Sequence, residues 1–308
     1  MWWSVPRQAP RYVVLGISLV ATLATLLGGC AAHAPVQPGP VRTVLRPAPL
    51  STVALPAPPS DLGLAPVNVP ITFADEGRAI RLSQYRVGDS DVYVADVRVA
   101  NAGILRSGLA RDNGNANTFV PTSSLAAAHG AVLAINGDSY AARKAGYAIR
   151  NGTVLRSVAA SNARQDVAVE RDGTLRVIAE SKTRTSVLAR NGVRDVLSFG
   201  PALVNAGSVV VAATDTQNHA DLPEPRTAIA QVGPLHYLFV VVDGRTLASA
   251  GMTCPDLARF LLAYGAVTAY NLDGGGSSTL WFDGAVVNSP TTDGVVIQER
   301  GVSDIVLV

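Results

Sequence analysis

The sequence predicts an α+β fold: a mixed β-sheet core with β-hairpins, a few flanking helices and one βαβ crossover near the C-terminus. Three observations predict it. Asx-Gly pairs interrupt strand-like runs three times, at Asn151-Gly152, Asp172-Gly173 and Asp283-Gly284, and such pairs supply the positive φ angles of tight hairpin turns. Helical signals are few and mostly short. One strand–helix–strand succession runs from Leu235 to Gly276; at this length it predicts two parallel strands joined in the right-handed sense.

The chain has 308 residues, and its beginning does not belong to that fold. Arg7 and Arg11 precede an apolar run from about Tyr12 to Leu27, followed by Gly28-Gly29-Cys30. A basic start, an apolar stretch and small residues at a cut describe a secretory signal. With Cys30 at the cut it resembles a bacterial lipoprotein signal, which implies lipidation of Cys30 and anchoring to a membrane. Residues 1–29 are therefore read as signal peptide; a plain signal peptide and an uncleaved membrane anchor stay open beside the lipoprotein reading, and all three export the domain. Residues 30–70 are rich in Pro and Ala, which blocks helix and central strand alike and reads as an extended tether. Residues 71–308 form the folded domain. The expected location is the cell envelope, outside the cytoplasm.

Composition bounds the function. Hydrophobic residues are 48% and charged residues 16%, enough apolar surface for a real core. Aromatics, at 6%, are too sparse for a stacking platform on single-stranded nucleic acid. Removing residues 1–29 leaves 23 basic and 23 acidic side chains, so no polyanion-binding signature remains and nucleic acid is not expected as a partner. The two cysteines, Cys30 and Cys254, exclude a disulfide framework and a Cys-based zinc site by count.

Within the domain, "DVYVADVRVA" (91–100) alternates apolar and polar as a half-buried strand does. "SSLAAAHG" (123–130) is a short helix ending at glycine. The clearest helix is "TCPDLARFLLAYG" (253–265), with Thr253 as N-cap, Asp256 as capping-box partner and Gly265 closing the end. The apolar runs flanking it are short and β-branched enough for buried strands. This places "NLDGGGSST" (271–279) just past the C-terminal end of a strand, the edge where ligands of open α/β sheets bind.

Four segments could carry chemistry. Gly274, Gly275 and Gly276 can bring backbone N–H groups close to an anion, with Ser277 as a further donor and Asp273 as a carboxylate beside them; in isolation a tight structural loop explains the same residues. No lysine follows, so it is not a Walker A loop, and no Gly-x-Gly-x-x-Gly opens a helix. "AVLAINGDSY" (131–140) is a second buried strand ending in polar residues, Asn136 and Asp138 among them. "EPRTAIA" (224–230) places Arg226 at a strand start, where a guanidinium can fork onto a phosphate or pair with a surface acid. "SFGPALVNAG" (198–207) offers Ser198 beside a Gly-Pro turn. His219 lies in a polar loop leading to Arg226 and could face a cleft. His129, His219 and His236 show no metal-ligand spacing. There is no Gly-x-Ser-x-Gly elbow, which removes an α/β-hydrolase reading.

Together "AINGDSY", "SFGPALVNAG", "EPRTAIA", the run from "VVVDGRTLASAG" through "NLDGGGSSTLW" and the closing "ERGVSDIVLV" resemble the phosphodiester glycosidase family, over roughly Asp91 to Val308. Two positions depart from the family's habit. Asp138-Ser139-Tyr140 replaces a second glycine and aromatics, and Ala230 stands where glycine is usual. The resemblance implies hydrolysis of a sugar-1-phosphodiester at its glycosidic bond, with a glycan as substrate. The phosphate of such a diester departs as a weakly basic monoester anion, so charge stabilisation matters more than a general acid. Asp273 is the first expected catalytic carboxylate and Asp138 the second. Arg226, the 274–276 amides, Ser277, Asn136, Ser198 and His219 are the expected binding set. No cofactor is demanded, although Asn271 and Asp273 could hold a divalent cation. Two alternatives stay open: a non-catalytic glycan-binding envelope protein, and a metal-dependent phosphodiesterase that cleaves P–O.

Overall fold

The computed structural model describes Leu55 and residues 64–110, 118–161 and 164–308. The expected signal peptide, Cys30 and most of the expected tether lie outside the described residues. Among the described residues no helix is long and apolar enough to cross a membrane.

Three antiparallel sheets make up the domain. The largest has eight strands in the spatial order β1 (Ile71–Ala74), β2 (Arg78–Val87), β3 (Ser90–Val99), β14 (His236–Val242), β13 (Arg226–Gly233), β15 (Thr268–Asn271), β11 (Ala202–Asn205) and β12 (Ser208–Val209). A five-stranded sheet runs β7 (Thr153–Arg156), β6 (Ala148–Arg150), β10 (Asp195–Leu197), β8 (Gln165–Val169) and β9 (Leu175–Ala179). The third runs β17 (Ala285–Val286), β16 (Leu280–Phe282), β5 (Leu133–Asn136), β18 (Asp304–Leu307) and β4 (Arg106–Leu109). The helices are α1 (Thr122–Ala128), α2 (Thr185–Arg190) and α3 (Cys254–Ala263).

The three Asx-Gly turns join β6 to β7, β8 to β9 and β16 to β17. In the first and third, both residues take positive φ: 49° and 80° at Asn151-Gly152, 45° and 93° at Asp283-Gly284. Helix α3 is capped as its sequence predicts. Thr253 Oγ1 accepts from the Asp256 amide at 3.1 Å, and Gly265 follows at φ 97°.

The large sheet is buried on both faces, and the alternation of β14 shows how. Tyr237, Phe239 and Val241 join one cluster with Leu133 and Ile135 of β5 and Val167 and Val169 of β8. Leu238, Val240 and Val242 join another with Leu257, Ala258, Phe260 and Leu261 of α3. Successive residues of a strand point to opposite faces, so an uninterrupted apolar strand needs cover on both sides. Smaller clusters lie under α2 and α1. All four are built from residues 64–308, within a compact unit spanning Pro47–Val308. That unit therefore carries its own core and is expected to fold without the residues before it.

One topological expectation is met only in part. The strands flanking α3, β14 and β15, run in the same direction but are not neighbours, as they would be in a simple βαβ unit. β13 lies between β14 and β15 and is antiparallel to both. It is the hairpin partner of β14, with Arg226 opposite Val242, so the local turn takes the edge that the crossover would have used. Every strand pair among the described residues is antiparallel.

Candidate active site

The strand ends converge on one edge. β15 ends at Asn271, β5 at Asn136 and β10 at Leu197, and β13 begins at Arg226. The Asn136 amide fastens three of these segments together. Its Nδ2 donates to the Asp273 carbonyl at 2.6 Å, while its Oδ1 accepts from Thr227 Oγ1 at 2.7 Å and from the Thr279 amide at 3.2 Å. The Asp273 amide returns a bond to the Gly137 carbonyl at 3.1 Å. With Asn136 fully buried, these bonds hold the start of the glycine loop rigidly against β5.

The loop contains glycine because its surroundings demand it. Gly275 takes φ 57°, and a Cβ on Gly276 would run into Thr292. A side chain at either position would push the loop away from its neighbours. The Gly275 amide donates to the Pro225 carbonyl at 2.9 Å, which ties the loop to the segment entering β13. This amide is thereby committed to the fold.

Asp273 looks into a cleft of about 380 Å³ lined also by Phe199, Asn218, His219, Arg226, Arg245, Gly274, Gly275 and Arg300. The carboxylate is largely buried, at 8% exposure. Burial pushes its pKa above the ordinary value; the Ser277 hydroxyl and the Arg300 and Arg143 cations oppose that, and Asp138 adds to it. Arg300 donates to Ser277 Oγ at 3.0 and 2.8 Å and reaches Asp273 Oδ2 at 3.4 Å. Arg245 pairs with Glu224 at 2.7 Å and donates to the Thr292 carbonyl at 2.7 Å. Arg143 stacks over Phe199 at 4.3 Å and bonds Asn218 Oδ1 at 3.0 Å.

Of the residues expected from sequence, Asp273, Arg226, Gly274, Gly275 and His219 line this cleft, and His219 is exposed at its rim. The Arg226 guanidinium is spoken for by main-chain carbonyls. It donates to Met252 at 2.9 Å, Asn218 at 3.4 Å, His219 at 2.6 Å and Leu222 at 2.7 Å, so it braces the loop that forms the cleft wall. Asp138 lies outside the cleft lining and is fully buried. It pairs with Arg150 at 2.5 Å and accepts from the Ser198 amide at 2.6 Å. The same guanidinium reaches Asp304 Oδ2 at 2.9 Å, so one cation stands between two carboxylates. Ser198 is buried there, its Oγ without a hydrogen-bond partner among the described residues. Asn271 donates to the Gly200 carbonyl at 2.9 Å, and its Oδ1 likewise lacks a partner. Among the described residues no group of three or more His, Cys, Asp or Glu side chains is placed to hold a metal ion.

Arg143, Arg245 and Arg300 were not singled out by sequence reasoning. Arg245 and Arg300 sit inside stretches that carry the family resemblance, but no local pattern marks either one. Their roles come from contacts across long sequence separations.

The fold and this edge define an antiparallel β-sheet protein with a cation-lined cleft around one buried carboxylate. The chain belongs to the phosphodiester glycosidase family, whose sequence pattern matches residues 129–308. A curated relative, the SPbeta prophage-derived uncharacterized protein YomE of Bacillus subtilis strain 168, is 34% identical over 133 residues, 43% of this chain. The match spans only 20% of that relative's length. Among solved structures, the catalytic domain of zebrafish N-acetylglucosamine-1-phosphodiester alpha-N-acetylglucosaminidase, auto-inhibited by its pro-peptide, has the same fold, with a TM-score of 0.60. The two are 21% identical, over 79% of this chain and 84% of that one. A hypothetical protein from Synechocystis matches with TM-score 0.58 at 16% identity, over 78% of this chain and 64% of that one. A putative exported protein from Burkholderia pseudomallei matches with TM-score 0.51 at 15% identity, over 71% and 74%.

Proposed function

We propose that the protein hydrolyses the glycosidic bond of sugar-1-phosphodiesters in cell-envelope or extracellular glycans. The observation that carries this reading is the placement of Arg245 and Arg300 around Asp273 in one cleft. A phosphodiester brings one negative charge, and a guanidinium matches its geometry with paired donors. Arg245 and Arg300 receive the phosphate. Asp273 stands beside the anomeric carbon, either taking a proton from the attacking water or stabilising positive charge that develops on the sugar. The water oxygen bonds to C1, and the bond from C1 to the bridging oxygen breaks. The phosphate monoester leaves with that oxygen and the bonding pair. The departing anion is weakly basic, so cations serve it better than a proton donor would.

Asn136 and the buried Asp138–Arg150–Asp304 group act from behind, holding the Asp273 loop in place. The signal and Cys30 put this chemistry outside the cytoplasm, with lipid on Cys30 holding the domain to a membrane through its tether.

The test uses residues 47–308 and a panel of sugar-1-phosphodiesters, with release of reducing sugar as the readout. Asp273→Asn should reduce turnover at least about a thousandfold while the melting temperature stays within a few degrees. Near-wild-type turnover in that variant removes Asp273 from the mechanism. Reaction in oxygen-18 water should place the label in the free sugar; label in the phosphate means P–O cleavage instead. Saturable glycan binding without product from any substrate means a binding protein.

A further inference from the structure

Loops that adjoin the cationic cleft carry bare apolar side chains. Leu247 is fully exposed at the tip of a tight turn in which Thr246 and Ser249 bond each other. Val295, Val296 and Ile297 are 83%, 54% and 57% exposed on the next loop. That loop is pinned from within, because Asp293 Oδ1 accepts from the amides of Val295 and Val296 at 2.9 Å each. Phe119 and Leu222 are each 46% exposed. These make six of the thirteen exposed large apolar side chains among the described residues. Singly scattered ones need no explanation, but several on segments that adjoin one cleft suit an interaction surface.

Each of the six is tied to an arginine of the cleft. Arg245 stands two residues before Leu247, donates to Thr292, and has its own carbonyl packed on Gly294. The turn carrying Leu247 and the loop carrying Val295–Ile297 therefore meet at Arg245. Phe119 packs against Gly301, the neighbour of Arg300. The Leu222 main-chain carbonyl receives a hydrogen bond from Arg226 at 2.7 Å. Cations inside and hydrocarbon at the rim match a ligand with an anion at one end and an apolar chain at the other.

We infer that the cleft takes an amphiphilic substrate, a sugar-1-phosphodiester whose aglycone is an alkyl or isoprenoid chain lying along the rim formed by Leu247, Val295, Val296 and Ile297. This rests on the phosphodiester reading of the cleft and adds the chemical class of the aglycone. The reaction needs no co-reactant beyond water: C1 gains the water oxygen, and the lipid departs as its phosphate monoester.

The experiment compares the methyl and decyl diesters of N-acetylglucosamine-1-phosphate, both below micellar concentration, on residues 47–308. Affinity is read by calorimetry in the Asp273→Asn background and sugar release in the wild type. The decyl diester should bind at least about tenfold tighter, because each buried methylene strengthens association. Combining Leu247→Ser, Val295→Ser and Val296→Ser should bring that ratio close to one while the methyl diester binds as before. These side chains are exposed, so an unchanged melting temperature is expected as the control. Chain-length-dependent binding without sugar release from either diester upholds the rim and overturns the hydrolase reading. Equal affinities, a decyl advantage that survives the triple substitution, or no binding of either diester overturns the inference. So does rim-dependent binding to phosphatidylglycerol vesicles with no chain-length effect on the soluble diesters, which would make the rim a membrane-docking surface.

Discussion

Arg300 Nη2 lies 3.4 Å from Asp273 Oδ2 while the same guanidinium donates twice to Ser277 Oγ. The pair joins the C-terminal segment to the glycine loop, beside the bond from the Arg300 amide to the Gly276 carbonyl at 3.2 Å. It also sets the electrostatics of the one carboxylate in the cleft that burial drives toward its neutral form.

Arg300→Gln should therefore change two things at once. Loss of the cation removes a force that lowers the Asp273 pKa, so the proton is held to higher pH. A base must be ionised to act, so the acidic limb of kcat/KM against pH moves upward. Loss of the phosphate contact should also lower kcat/KM about a hundredfold. An unmoved limb would separate Arg300 from Asp273 in function.

Arg226→Ala should behave differently. Its guanidinium serves four loop carbonyls and is 2% exposed. Removing it leaves those acceptors without their donor, at a cost of about 2–4 kcal/mol. Denaturant titration reads that cost. Turnover should fall equally on substrates with and without phosphate; a loss confined to phosphate-bearing substrates would show a direct contact.

Arg150→Ala should be the most destabilising substitution of this set. It leaves Asp138 and Asp304 buried without the cation that pairs with both, and breaking a buried pair in this way costs about 3–5 kcal/mol. Thermal melting is the measurement. Arg150→Lys should recover only part of the loss, since an ammonium cannot reach both carboxylates with the spread of a guanidinium.

Asp166 offers a pH test of stability. Both of its carboxyl oxygens are buried beside the Glu180 carboxylate, with no N–H or O–H donor bonded to them among the described residues. Burial first, then the charges of Glu180 and Asp138, push its pKa up to about 9. The native state keeps the proton that the unfolded chain gives up near its ordinary value of about 3.9. The stability linked to this group is therefore full below about pH 4 and is lost as pH rises toward about 9. Asp166→Asn should match the wild type at pH 4 and exceed it increasingly above, by up to about 1.4 kcal/mol per pH unit. Denaturant midpoints at pH 5 and pH 8.5 test it, and parallel curves would refute it.

Much of the fold was legible because its cues are local. The Asx-Gly pairs that turn three hairpins, the Thr253 cap of α3 and the two polar strand ends at Asn136 and Asp273 each depend on residues within a few positions. That the two parallel strands around α3 are held apart by a third was not legible. An apolar run says that a strand is buried but not which strand lies beside it, and the β13–β14 hairpin decided that.

What the sequence determined by itself was therefore the punctuation of the domain and the rigid glycine loop after Asp273, because glycine and Asx conformations are properties of single residues. The tertiary structure alone decided which charges meet. It buried Asp138 against Arg150, gave the Arg226 donors to carbonyls, and brought Arg245 and Arg300 to Asp273. Charges act through space, and spacing along the chain carries no record of distances set by sheets that pair residues more than a hundred positions apart.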